Sequence, residues 1–420
     1  MNLLSVEEAV ERITARLQRL PAEAVALDEA LGRVLAEDVH ADRALPGAPT
    51  SSMDGFAVRA ADLMHAPAAL RLAFDVPAGV IPARSLAAGE TARIMTGAIV
   101  PDGADAVVPV EQTDQQWAAE AAATPGAAVR FTRAPKVGDC IRPVGEDIQM
   151  GQRVLAAGTV LRAPEIGLLA LLGLPAARVV RRPVVALLST GDELAEPGVP
   201  LEQGQIYDAN GYALAAFARA LGATAIRIPP ARDTLASVRE AFGRALTHQP
   251  DLILSSAGVS VGAYDVVRAV IEEMGAVEFW RVNVRPGKPL AFGRVGDVPM
   301  IGLPGNPVSA LVTAELFARP ALARLGGWPD ETIMMQAVTG EALRSDGRRS
   351  YLRVRLRRED GRWIATTTGT QSSAALISLT QADGLLIVPE DVSEVSAGEV
   401  LNVRLLRPLR AVAAGKDDNL

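Results

Sequence analysis

From about residue 177 to 319 the chain alternates strand-like runs with helical ones, and this alternation constrains the fold more than any other feature. VVALLST, TAIRIP and DLILSSAG are short and apolar. Residues 209–221, 234–247 and 265–274 carry helical spacing. Gly222 stands in a helix-ending position, Asp233 is placed to cap the second helix, and Gly275 closes the third. VEFWRVNV, LAFGRV and VPMIGL add further strands. Strands that return in parallel need crossover helices, and these cover both faces of the sheet. The segment therefore predicts an open, mostly parallel α/β sheet. Ligands of such sheets bind beyond the carboxyl ends of the strands.

The flanks read differently. Ser5-Val6-Glu7-Glu8 is a capping box, predicting an amphipathic helix to about Leu20, where Pro21 stops it. A shorter helix is expected near residues 28–35. From 42 to 148 short apolar runs (GFAVRA, RIMTGAIV, DAVVPVEQ, AVRFTRAP, CIRPVG) alternate with Pro, Gly and Asp clusters, which predicts a small β-rich domain. A buried helix over 163–172, ending at Gly173, can pack back on the N-terminal helix and make the β domain an insertion. Four domains result: a discontinuous helical linker (1–41 and 149–176), the inserted β-rich domain (42–148), the α/β domain (177–327) and a C-terminal β barrel (328–410). A frayed tail follows (411–420).

Composition narrows the function classes. With 42 Lys+Arg against 49 Asp+Glu the net charge is −7, which disfavours general nucleic-acid binding but leaves room for a local basic pocket. A single cysteine, Cys140, gives no disulfide framework and no thiolate zinc site. The start MNLLSVEEAVERI lacks signal-peptide character, and the apolar run 166–174 is too short to span a bilayer, so a cytoplasmic location and no membrane contact are expected.

Several motifs fall at the predicted strand ends. Thr190-Gly191-Asp192-Glu193, Asp233, Ser255-Ser256-Ala257-Gly258 and Asp265 put carboxylates along one edge, an arrangement suited to Mg²⁺ and phosphate. Asp233 and Asp265 read singly as helix caps. Gly258-Val259-Ser260-Val261-Gly262 matches G-x-S-x-G, but all three histidines precede Ser260, against the hydrolase order. It reads as a glycine-rich turn whose amides face a phosphate. In Leu303-Pro304-Gly305-Asn306-Pro307-Val308-Ser309, Asn306 is placed as an N-cap and Pro307 as the first helical residue. The free amides there, with Ser309, form an anion site as well as a rigid corner. RVNVRPGKPLAFG gathers Arg281, Arg285 and Lys288 around a stiff turn. In RSYLRVRLR, Leu352, Val354 and Leu356 face the core while Arg353, Arg355 and Arg357 line the opposite, solvated face, from which one arginine can reach an anion. Gln371-Ser372-Ser373, Ser52-Met53-Asp54-Gly55, Met95-Thr96-Gly97 and Gly145-Glu146-Asp147 are each explained singly by turn chemistry.

In order, SSMDGFAVR, RIMTGAIVPDGADAVV, RPVGED, LLSTGDEL, IYDANGYAL, SSAGVSVGAYD, RVNVRPGKPLAFG and IGLPGNPVSA span nearly the whole chain. This series resembles the molybdopterin molybdenumtransferase family, which includes the gephyrin E domain. The resemblance implies a four-domain homodimer acting last in molybdenum cofactor synthesis. It implies Mg²⁺-dependent insertion of molybdate into the dithiolene of adenylylated molybdopterin, with release of AMP. The molybdopterin adenylyltransferase is an implied partner. The family's functional carboxylates fall on Asp54, Asp147, Glu193, Asp233 and Asp265, with Glu193 and Asp265 helping to hold Mg²⁺, and its threonine on Thr96. Its cationic positions fall on Arg281, Arg285 and Lys288, its turn prolines on Pro304 and Pro307. The last domain supplies Arg353 and Ser373 or Ser372. The chain departs from the family at Arg281 and Arg285, where lysine is usual, at Ala263, where Glu is common, and at Phe56, where Tyr is usual. Arginine keeps the charge but binds as a planar fork. The rival readings are a non-catalytic molybdopterin-binding scaffold and an adenylyltransferase. The latter leaves the flanking β domains unexplained.

Overall fold

The structure, a computed structural model, describes residues 3–115, 125–256, 264–330 and 332–409. The chain divides into two compact units. One contains residues 1–36, 158–163 and 176–420, the other residues 37–157 and 164–175.

The first unit is built on a six-stranded sheet in the order Thr224–Arg227, Val184–Ser189, Leu252–Ser256, Val298–Leu303, Pro289–Val295, Gly275–Arg281. The first four strands are parallel, and the Pro289–Val295 strand runs antiparallel to both of its neighbours. Side chains alternate across the sheet, as the two-residue strand period requires. Val185, Leu187, Leu252, Leu254, Ile301 and Leu303 share a core with Leu214 and Ala218 of the helix Ala209–Ala220 and with Ala9 and Ile13 near the N-terminus. On the other face Ala186, Leu188, Ile253 and Met300 pack with Phe242 of the helix Leu235–Thr247 and Ile271 of Tyr264–Met274. Both faces are thus covered by helices, as the alternation predicts.

Local expectations shift in four places. The capping box forms, with Glu8 N donating to Ser5 Oγ and Ser5 N to Glu8 Oε2. The helix, however, is Val6–Thr14 and stops short of Leu20. Beyond it the backbone turns more tightly, and Leu20 N donates to Leu325 O at 2.9 Å. No helix forms over 28–35. Ala22–Ala26 is a strand antiparallel to Ala176–Val180, followed by one 3₁₀ turn, Leu27–Glu29. Gly32, in the left-handed region at φ 72°, ends any helical path there. The cap of Leu235–Thr247 is Thr234, whose side chain accepts from Ser237 N, and not Asp233. Gly275 follows the end of the third helix at Met274, as expected, but not in a left-handed turn. It opens a strand, and a Cβ there would be driven into Arg294 O.

The C-terminal region closes a five-stranded barrel. Arg349–Glu359 pairs with Arg362–Thr367, then Met334–Thr339, Val400–Leu405 and Gly384–Val388 follow, and the last returns to Arg349–Glu359. A sixth strand joins from outside. Val284 and Arg285 pair in parallel with Arg349 and Ser350, so the chain leaving the α/β sheet at Arg281 is spliced onto the barrel before it returns at Pro289.

The second unit holds a mixed five-stranded sheet, ordered Ala106–Pro109, Gly55–Val58, Glu90–Ile94, Ala68–Val76, Ala128–Phe131. Its core gathers around the edge-to-face pair Phe56 and Phe131. The helix Ala163–Leu171 is less buried than its composition predicts: Leu169 is buried, while Leu171 is exposed.

Candidate functional site

Two adjoining cavities open at the carboxyl edge of the α/β sheet, where an open sheet places its ligands. They share Gly287 and Ser309 as walls. One has a volume of about 660 Å³ and the other about 440 Å³. Their chemistry is opposite.

The larger cavity is acidic. Thr190 and Gly191 bring the end of the Val184–Ser189 strand to it, and Glu193, Asp208 and Asp233 line it. Gly191 (φ 154°) lies under the Glu193 carboxylate, where a Cβ would collide with it. The Asp233 amide donates to Asp192 Oδ1 at 3.2 Å. Burial first, then the charges of Asp192 and Glu193, holds the Asp233 carboxyl above its ordinary range. Because Thr234 takes the capping role, Asp233 is left without one. Among the described residues, Asp233 Oδ1 and Thr190 Oγ1 are buried with no hydrogen-bond partner. Buried polar atoms are normally paired, so two orphaned oxygens beside one cavity point to a ligand.

The opposite wall is the strand-to-helix turn before Pro307–Thr313. Pro304 and Pro307 line the cavity. Two expectations change. Asn306 stands at the N-cap position but makes no side-chain cap; its Nδ2 donates to Ser373 Oγ at 2.9 Å. The amide of Val308 is not free either, since it donates to Ser373 O at 3.0 Å. Asn210, missed in the sequence reading, links two walls by donating to Ser256 Oγ (2.7 Å) and Gly305 O (2.6 Å). Its signal was the IYDANGYAL segment, in which Asp208 also proves structural: it caps the helix through Gly211 N and accepts from Ser189 Oγ.

The smaller cavity is basic. Arg285, Lys288, Arg348 and Arg353 line it with Ser309, Ser372 and Ser373. The turn that carries Lys288 is closed by Val282 N donating to Lys288 O at 2.9 Å. Gly287, at φ 111°, passes so close to Thr313 that a Cβ would overlap its Cγ2. The expectation of a solvated arginine face fails at Arg353. It is 1% exposed, whereas Arg355 and Arg357 are exposed. Its guanidinium donates to Ser378 Oγ at 3.1 Å, Thr370 O at 3.3 Å and Ser372 O at 3.0 Å. Burial, then the charge of Arg285, pushes its pKa down to about 10. The barrel strand therefore turns this one arginine into a wall between domains, which strand period alone does not show. Arg348 was also missed, because a charged residue beside an exposed turn carries no distinguishing pattern.

Arg281 is exposed at the end of its strand, facing Pro289 in register, and lines neither cavity. Asp265 falls within Tyr264–Met274, with its side chain outside the described residues. Ala263 and the glycine-rich turn Gly258–Gly262 also lie outside them. Among the described residues no three potential metal ligands cluster.

In the second unit Asp54 and Thr96 come together. Asp54 Oδ1 accepts from Thr96 N at 2.7 Å and from Thr96 Oγ1 at 3.0 Å. The neighbouring backbone holds them: Ser51 O accepts from Gly97 N, and Cys140 O accepts from Ser52 N. Asp147 is exposed on a turn whose amide donates to Leu45 O at 3.0 Å.

Comparison with known proteins bears on this arrangement. Three family models match successive stretches: MoeA N-terminal region (domain I and II) over residues 4–173, probable molybdopterin binding domain over 186–324, and MoeA C-terminal region (domain IV) over 336–406. Molybdopterin molybdenumtransferase 2 of Mycobacterium tuberculosis is 40% identical over 415 residues, covering 95% of this chain and 98% of its own. Molybdopterin molybdenumtransferase of Nostoc sp. is 37% identical, covering 90% of this chain and 87% of its own. The crystal structure of the molybdopterin biosynthesis MoeA protein from Pyrococcus horikosii superposes with a TM-score of 0.82. It has 31% identity and covers 97% of this chain and 100% of that one. Fold and site together define a multidomain protein of the MoeA type, from molybdenum cofactor biosynthesis. Within that class the chain belongs to the molybdopterin molybdenumtransferase family, a family of transferases.

No helix among the described residues is long and apolar enough to cross a membrane.

Proposed function

We propose that this chain inserts molybdate into the dithiolene of adenylylated molybdopterin and releases AMP. The observation that carries this reading is the pair of adjoining cavities, acidic and basic, sharing Gly287 and Ser309. Molybdate is a tetrahedral dianion. Arginine, lysine and hydroxyl groups suit it, and the basic cavity offers Arg285, Lys288, Arg353, Ser309, Ser372 and Ser373. The substrate's own sulfurs bind the metal, so the protein needs no soft ligand at this point. Cys140, the single cysteine, lies in the other compact unit, and burial followed by the Asp139 charge raises its thiol pKa.

The acidic cavity suits the nucleotide end of the substrate. The orphaned oxygens of Asp233 and Thr190 fit a hydrated Mg²⁺, which takes one or two carboxylates and completes its shell with water and phosphate. Glu193 and Asp233 would hold it, with Asp265 as the further carboxylate of the same reading. Bound there, the ion would neutralise charge at the phosphoanhydride. The chain's own part is orientation. Asn210 ties Ser256 to Gly305, and Asn306 ties the turn to Ser373, so the anhydride and the oxyanion meet across fixed walls. Asp54, Thr96 and Asp147, the homodimer, delivery of substrate by an adenylyltransferase and a cytoplasmic setting belong to the same proposal.

AMP release from adenylylated molybdopterin, measured with and without molybdate, tests the reading. Release should depend on molybdate and on Mg²⁺. Equal release without molybdate would sink it.

A further inference from the structure

The basic cavity gathers more positive charge than its surroundings balance. Arg285, Lys288, Arg348 and Arg353 all line it. Among the described residues the only carboxylate paired with any of the four is Asp346, which does not itself line the cavity. Its two partnerships are unequal. Arg348 grips it through Nε at 3.1 Å and through a short contact from Nη2, and the same guanidinium donates Nη1 to Val284 O at 3.1 Å. Arg285 approaches only to 3.8 Å, and its side chain is 43% exposed. Charge-assisted hydrogen bonds run at about 2.7–2.9 Å, so this contact is an ion pair without a hydrogen bond. Asp346 is thus fixed by Arg348 and holds Arg285 loosely.

We propose that Asp346 is a resident counter-ion of the oxyanion cavity. It holds Arg285 at the wall and weakens the grip on a bound dianion, so that the dianion can leave for the dithiolene. The inference rests on the oxyanion reading above. Arg285 reaches the entering anion by giving up a loose partner, while Arg348 stays clamped to Asp346 and to the spliced strand. Asp346 repels whatever the cavity holds, and this repulsion scales with the charge of the guest. A dianion feels it twice as strongly as a monoanion of the same shape.

Two tetrahedral anions separate the possibilities: molybdate, with two charges, and perrhenate, with one. Binding of each to the full chain is measured by calorimetry for the parent, Asp346→Asn and Asp346→Glu. Asp346→Asn should tighten molybdate by roughly 10-fold and perrhenate by roughly 3-fold, the twofold ratio of logarithms that Coulomb's law requires. Molybdate-dependent turnover at saturation should fall as release slows. Asp346→Glu should return both affinities to within about twofold of the parent, and this variant guards against a folding defect in Asp346→Asn. If the parent binds neither anion, the oxyanion reading falls and this inference with it. If the parent binds both but Asp346→Asn binds molybdate no better, or strengthens both anions equally, the inference alone is overturned.

Discussion

Asn306 and Ser373 share a hydrogen bond of 2.9 Å from Nδ2 to Oγ, which bolts the helix-opening turn of the α/β domain to a loop of the barrel. The Val308 amide reinforces it by donating to Ser373 O. Asn306 is exposed, so the side-chain bond adds modestly to stability. A double-mutant cycle on Asn306→Ala and Ser373→Ala should give a coupling of about 0.5 kcal/mol in denaturant unfolding. Molybdate-dependent AMP release should fall by a larger factor than this coupling implies, because the bond positions both walls. Equal, small effects on stability and rate would leave it a surface bond only.

Asp233 makes a pH-dependent prediction. Its carboxyl is raised by burial and by two neighbouring carboxylates, so the folded chain favours the protonated form. The stability it contributes is complete below the range in which it ionises in the unfolded chain. That stability is lost as pH rises through the folded value. Asp233→Asn should therefore be more stable than the parent at pH 7. The gap should close as pH falls toward the ordinary carboxylate value of about 4. Thermal melts across that range check the sign. Turnover of the variant should fall at least tenfold, and a variant both less stable at pH 7 and fully active would contradict the assignment.

Arg353 is buried with three acceptors around its guanidinium. Arg353→Ala removes the donors to the buried Ser378 hydroxyl and to the part-buried carbonyls of Thr370 and Ser372, and should cost about 2–3 kcal/mol. Arg353→Lys keeps the charge but not the fork, and should lose less stability while still weakening molybdate binding severalfold. Calorimetric affinity for molybdate, set beside urea unfolding, separates the two effects. Unchanged affinity in Arg353→Lys would show that charge alone suffices.

Gly287 is constrained twice, by its positive φ and by Thr313 Cγ2. Gly287→Ala should destabilise by about 2–3 kcal/mol, part conformational strain and part overlap. Thr313→Ser removes the methyl but keeps a hydroxyl to donate to Ser309 O, a bond of 2.7 Å in the parent. In the double variant the overlap should disappear and the strain remain. Strict additivity in urea titration would argue against this division.

The parallel part of the sheet was legible because short continuous apolar runs alternating with helical spacing, and glycine stops, are local signals. Other features depended on partners distant in sequence. Residues 28–35 carry helical spacing, yet Arg33 is drawn to Val180 O and Glu23, and Gly32 breaks the turn. Asp233 looks like a cap until the neighbouring Thr234 is seen to take that role. Arg353 alternates with Leu352 and Val354 as an outward residue should, but the face it enters is covered by the loop that carries Ser372 and Ser373. Asn306 reads as a cap from its neighbours and acts as a tie because Ser373 is there to receive it. In each case the sequence specifies the residue, and a remote segment assigns its task.

The splice of Val284 and Arg285 onto the barrel has a consequence for the order in which the chain is made. Lys288 and its turn leave the ribosome well before Arg353 and Ser373. A nascent chain halted between them can complete the strands of the α/β sheet, yet it presents half a socket. On the proposed reading, oxyanion capture requires the barrel strand and loop that carry Arg353, Ser372 and Ser373 as well as the α/β domain.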